Sequence, residues 1–156
     1  MTTSAELIRA CREGVPGAFG QVIEAHKDEV YTLCLRAIGD ALVAENVAER
    51  VFLTAHQDIV KIDANTNLGQ WLLQLTLHHV TDPVEVGEVD SESAAVNAVL
   101  GELEPPFRMA VILRDVLLLG ERDVADILQI SLGTARSRIH RGRLTMARNL
   151  VAKVGE

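Results

Sequence analysis

The chain has 156 residues, 48% apolar and 24% charged, a globular composition that excludes disorder for the chain as a whole. Aromatics are only 3%, so the core must be aliphatic, and no apolar run approaches the ~18–20 residues of a membrane span. The formal charge of −7 conceals an asymmetry: residues 1–99 balance at −9 and residues 100–156 at +2.

Apolar residues recur at helical spacing almost everywhere, and no stretch alternates with period two for long enough to make a strand, so the predicted fold class is all-α. Ser4 is expected to cap a first helix that runs to about Cys11, where Gly14-Val15-Pro16-Gly17 breaks it. A second helix is predicted over Ala18–Ile38, with Phe19, Val22, Ile23, His26, Val30, Cys34 and Ile38 on one face and Gly39 at its end. A third spans about 42–58, where Val43, Val47, Val51 and Ala55 recur every fourth residue. Asp63-Ala64-Asn65-Thr66-Asn67 reads as a turn, followed by a helix from Leu68 to about Val80.

Residues 81–92 are acidic and lack long apolar periodicity, which marks a linker between two helical modules. A short helix is expected to resume near Ser91. Pro105-Pro106 suits the first turn of another, which runs to about Leu117. Two further helices are predicted over about 121–128 and 132–150. The expected organisation is a helical domain over 1–82, a linker over 83–99 and a second helical domain over 100–156.

Cys11 and Cys34 fall at apolar positions and are expected to be buried, reduced thiols. The N-terminus has neither the basic start nor the apolar stretch of a signal peptide, so a soluble cytoplasmic protein is the expectation.

The strongest local signal is 121–143, which reads as a helix, a three-residue turn and a second helix. Val124, Ala125, Leu128, Ile130, Leu132, Ala135 and Ile139 supply a shared apolar seam. Ser131 suits the N-cap of the second helix, accepting from the amide of Gly133 or Thr134. Within 133–153 there are six basic residues (Arg136, Arg138, Arg141, Arg143, Arg148 and Lys153) and no acidic one. With Ser137 and His140, the arginines make an outward face suited to phosphates and guanine edges, and a major groove admits one helix.

Leu103-Glu104-Pro105-Pro106-Phe107-Arg108-Met109-Ala110-Val111-Ile112-Leu113-Arg114-Asp115-Val116 and the helix-turn-helix after it resemble region four of bacterial extracytoplasmic-function (ECF) sigma factors. The N-terminal half is similar to region two through Ala18-Phe19, Val30-Tyr31, Gly39-Asp40, the stretch Ala44-Glu45-Asn46-Val47-Ala48-Glu49-Arg50-Val51-Phe52, and Trp71-Leu72. The resemblance implies a four-helix region-two-like bundle joined by the acidic linker to a region-four-like module. It also implies an RNA polymerase sigma factor that directs transcription initiation. Its partners would be polymerase core and promoter DNA, with an anti-sigma factor as a further candidate, no membrane insertion and no cofactor. Carried over by position, Thr134, Arg136, Ser137, Arg138, His140, Arg141 and Arg143 would meet DNA. Glu45, Asn46, Glu49, Arg50 and Phe52 would meet polymerase, and the helix over Leu68–Val80 would open the promoter.

The chain departs from that pattern in places. Asn46 stands where the family usually has an acidic residue, and Glu49-Arg50 where it has a glutamine-glutamate pair. Between Lys61 and Arg108 there are 46 residues without Lys or Arg, although the family's promoter-opening helix is rich in both. Gln129 replaces the usual turn glycine. A positive φ there would cost about 1 kcal/mol. These departures, with the extra leucines of Leu117-Leu118-Leu119, define an alternative. In it, a sigma-like regulator keeps the fold without opening promoters, and binds DNA through its C-terminal module alone or binds an anti-sigma factor.

Enzymatic chemistry finds no support in the residues. The five histidines and two cysteines lack zinc spacing. There is no Gly-rich phosphate loop and no Gly-x-Ser-x-Gly elbow.

Overall fold

A computed structural model describes residues 3–80 and 94–154, except for the side chains of 94–97, 153 and 154. The described residues form helices and no strand: α1 (Ser4–Arg12), α2 (Ala18–Ile38), α3 (Ala41–Asp58), α4 (Leu68–Val80), α5 (Ala94–Glu102), α6 (Pro105–Val111), α7 (Glu121–Leu128) and α8 (Leu132–Val154). A single π turn, Ile112–Val116, prolongs α6.

Short-range chemistry sets most of the boundaries. The cap of α1 is Thr3 rather than Ser4. Its hydroxyl accepts from the Glu6 amide at 3.2 Å, while the Glu6 carboxylate accepts from the Thr3 amide at 2.8 Å. Glu6 completes this reciprocal box because it lies three residues after the cap. Gly39 stops α2 with φ +86°, a conformation open to a residue without Cβ, and its amide donates to the Leu35 carbonyl at 2.8 Å. Asp40 then caps α3 by accepting from the Val43 amide at 3.1 Å. Asn67 does the same for α4 through the Gln70 amide, also at 3.1 Å. The final helix outruns its expected end at 150 and reaches Val154, because residues 151–154 contain neither glycine nor proline.

The aliphatic core has two parts. In the N-terminal module α1–α4 bury Ile8, Val22, Val30, Cys34, Val47, Val51, Leu68 and Leu72. Each fully buried Leu, Ile or Val contributes about 1.5–3 kcal/mol relative to an exposed position. The C-terminal module closes around Leu100, Leu103, Met109–Leu113, Val124, Ala125, Ile127, Ala135 and Ile139. Leu33 and Ala37 of α2 and Leu73 of α4 belong to this second cluster, so the modules share an apolar joint. Cys34 is buried as expected, whereas Cys11 is only half-buried.

Polar contacts reinforce the joint. Arg108 donates to the carbonyls of Leu100, Gly101 and Leu103 at the end of α5, and to Ala37 near the end of α2. Helix C-termini leave carbonyls unpaired, and one guanidinium serves two such ends. Because α5 begins at Ala94, the expected 99/100 boundary falls inside a helix; residues 83–93 of the expected linker lie outside the described residues.

Candidate functional site

The helix-turn-helix is built on an apolar seam. Val124, Ala125 and Ile127 of α7 are buried, and they share one cluster with Ala135 and Ile139 of α8. Leu128 and Ile130 pack partly against it. Ile127 is a core residue that the sequence reading missed. The turn closes through Gln129, which adopts the left-handed conformation (φ 58°, ψ 47°), as expected of the position that replaces glycine. Ser131 begins α8: its Oγ accepts from the Thr134 amide at 3.1 Å and donates to Thr134 Oγ1 at 2.8 Å.

Gly142 fixes how deeply α8 sits. A methyl group there would run into Val111 Cγ2 and lie 3.2 Å from the Phe107 carbonyl oxygen, so only glycine lets α8 cross α6 this closely. The sequence pattern points to the apolar seam and gives no sign of this crossing at Gly142.

This seating turns the predicted DNA-contacting residues outward. Thr134, Arg136, Ser137, His140, Arg141 and Arg143 are exposed, and Arg138 is half-buried. They are not electrostatically equivalent. Arg136 donates through Nε to Glu121 Oε2 on the first turn of α7. Arg143 donates through Nε to Asp115 Oδ2 at 2.9 Å and through Nη2 to Asp115 Oδ1. The Arg143 hydrogen bonds hold the Asp115 carboxyl below its ordinary range, with the Arg143 and Arg114 charges acting the same way against some burial. Neither Arg138 nor Arg141 forms an ion pair among the described residues.

The residues expected to meet polymerase are split by their helical phase. Glu45, Glu49 and Phe52 line a groove of about 770 Å³ between α2 and α3, together with Phe19, Ile23, Tyr31 and Leu53. Its apolar floor is ordered by an edge-to-face contact of Phe19 with His56, centroids 4.8 Å apart. Asn46 and Arg50 are exposed on the same helix but do not line the groove.

The helix expected to open promoters is largely committed to packing. Leu68, Leu72 and Leu73 of α4 are buried, and Trp71 packs against the N-terminal core. Gln70 donates to Asp123 Oδ1 at 3.1 Å, and Gln74 to the Asp126 carbonyl at 3.3 Å, so α7 lies against α4. His79 bridges the Leu75 carbonyl at 2.9 Å and Thr54 Oγ1 on α3 at 3.2 Å. Of the three leucines after α6, Leu117 and Leu119 pack against the core, while Leu118 is 77% exposed with φ 58°.

Among the described residues, no group of three or more His, Cys, Asp or Glu side chains is placed to hold a metal, and no helix is long and apolar enough to cross a membrane. Burial pushes the Cys34 thiol up to about 12, which makes it a poor nucleophile.

Comparison with known proteins agrees with this architecture. Residues 93–146 match the family model of sigma-70, region 4. The chain is 24% identical to the ECF RNA polymerase sigma factor SigW of Bacillus subtilis (strain 168), over 92% of this chain and 94% of SigW. Its fold is similar to that of CnrH in complex with the cytosolic domain of CnrY, with a TM-score of 0.82 and 22% identity over 96% of this chain and 97% of CnrH. It is also similar to the sigma factor RpoE in complex with the anti-sigma factor NepR from Bartonella quintana, with a TM-score of 0.74 and 18% identity over 86% of this chain and 97% of that one.

Proposed function

We propose that the chain is an extracytoplasmic-function sigma factor of bacterial RNA polymerase and directs transcription initiation as a polymerase subunit, a reading supported by the match to sigma-70, region 4 and by the similarity to SigW along both modules. The C-terminal module, starting with α5, reads promoter DNA; the N-terminal module, residues 1–82, binds the polymerase core. It acts in the cytoplasm and is not an enzyme.

One observation carries this reading: α8 sits on a buried apolar seam and presents Thr134, Arg136, Ser137, Arg138, His140 and Arg141 together on its outward side. A helix held by its apolar face, with its N-terminal turns exposed, can enter a major groove and hydrogen-bond base edges there, while arginines further along reach phosphates. Glu45, Glu49 and Phe52 form the polymerase contact, with Asn46 and Arg50 beside it. The apolar groove they line also suits an anti-sigma factor as an alternative occupant, and the structurally similar RpoE is in complex with the anti-sigma factor NepR. The similarity to SigW runs through both modules, so the reading in which only the DNA-binding module remains in use is not favoured.

The test is reconstitution. Purified core polymerase with this protein should yield run-off transcripts from promoters selected out of a random library. A stable polymerase complex that never yields a transcript would overturn the initiation role.

A further inference from the structure

We propose that two carboxylates outside the recognition helix, Asp115 and Glu121, set how many of its arginines act on DNA phosphates, with Asp115 withholding Arg143 and Glu121 withholding part of Arg136. The inference rests on the reading of α8 as a DNA-binding helix and concerns how strongly that helix grips the backbone.

Local geometry explains why these groups meet. The close crossing permitted by Gly142 brings Val111 onto α8. Four residues further, on the π turn, Asp115 reaches Arg143, the neighbour of Gly142. The short aspartate spans the gap because the two helices are in contact at that level. Both Asp115 oxygens are engaged by one side-on fork, Nε with Nη2, a bidentate, charge-assisted arrangement stronger than a single hydrogen bond. Glu121 engages Arg136 through Nε and leaves both terminal nitrogens of that guanidinium without a partner among the described residues.

The consequence is electrostatic. A cation placed against a phosphate releases condensed counterions; a neutral ion pair placed there releases few. Of the five arginines on α8, Arg136 and Arg143 carry carboxylate partners, and Arg138, Arg141 and Arg148 form no ion pair among the described residues. The Arg143 side chain is nevertheless 49% exposed, so the group is accessible and held back by charge rather than by burial. Arg143 lies eleven residues after the start of α8, about 16 Å along the axis. That is beyond the base-reading turns and at the depth where side chains meet the DNA backbone. Muting it lowers the sequence-independent part of binding and leaves the base-reading turns to discriminate.

Asp115→Asn removes the competing charge and keeps the shape. Binding of the full chain to a random-sequence 30-base-pair duplex, titrated in salt, should tighten about five- to tenfold near 0.1 M. The slope of log affinity against log salt should steepen by about 0.9. Glu121→Gln should act in the same direction through Arg136, and serves as the second variant if Asp115→Asn folds poorly. The gain must require Arg143: Asp115→Asn made in an Arg143→Gln background should produce no steepening. An unchanged or shallower slope in both single variants, or a gain that persists without Arg143, overturns the inference alone. Salt-independent or absent binding by the unsubstituted protein overturns the DNA-binding reading and takes the inference with it.

Discussion

The two helices expected to meet DNA, α4 and α8, are built from opposite materials. The thirteen residues of α4 include no lysine or arginine, and its leucines are divided between the N-terminal core and the joint with α7. The twenty-three residues of α8 include five arginines, of which Arg136, Arg141, Arg143 and Arg148 are exposed and Arg138 half-buried. Of these two helices, only α8 carries the fixed cations that counterion release on DNA would require, while α4 presents histidines and no lysine or arginine. The difference teaches that, under the proposed function, affinity for DNA and the surface that opens it would be separable in this fold: one carried by charge, the other by a helix held in place from both sides.

That contrast is open to direct attack, most severely at Leu73. This side chain is 2% exposed and belongs to the cluster of the C-terminal module although it comes from α4. Leu73→Ala should cost about 2–5 kcal/mol, through lost transfer energy and the cavity left behind. Urea unfolding measures it. A loss below about 1 kcal/mol would mean that α4 is not part of the shared core, and the contrast would fail on that side. The opposite side is tested at Arg138 and Arg141. Replacing both with alanine should flatten the salt slope for duplex DNA by about 1.8 and weaken binding roughly fifty-fold near 0.1 M salt. Full retention of the slope would remove these two residues from the DNA contact.

Much of this was legible in the sequence because the signals are local. Gly39, Asp40 and Asn67 act within three or four residues, fixing the end of α2 and the starts of α3 and α4, and the bounds of α7 follow from apolar spacing. The turn at Gln129 and the cap at Ser131 were legible for the same reason. What stayed hidden acts across long separations. Asp115 and Arg143 are twenty-eight residues apart, and Gln70 and Asp123 fifty-three, so no periodicity announces either contact. Gly142 is invisible as a packing residue until α6 is laid against it. In α4 the apolar residues run around most of the helix, which declares burial but not the partner, so its commitment to α7 could not be read. On α3 the candidate residues were found but not sorted: a phase of 100° per residue puts Glu45, Glu49 and Phe52 on the groove and carries Asn46 and Arg50 past it.

The smallest expected effect concerns the joint's response to acid. His26 of α2 lies against Gly69 of α4, and it shares a cleft with Glu29 of its own helix, Gln70 of α4 and Asp123 of α7. Burial pulls the His26 pKa below the ordinary histidine value, and the Glu29 charge opposes that pull without overcoming it. The folded chain therefore binds a proton at this site less readily than the unfolded chain. As pH falls through about 6.5 the unfolded state takes up its proton first, so stability declines, and it levels off only once His26 protonates in the fold as well. Above that window the site adds no pH dependence. His26→Gln should make stability between about pH 5 and 7 flatter than in the unsubstituted protein, with the two curves running parallel at pH 8. If the curves stay parallel down to pH 5, the protonation of His26 is not coupled to folding, and the α2–α4 seam is looser than its packing indicates.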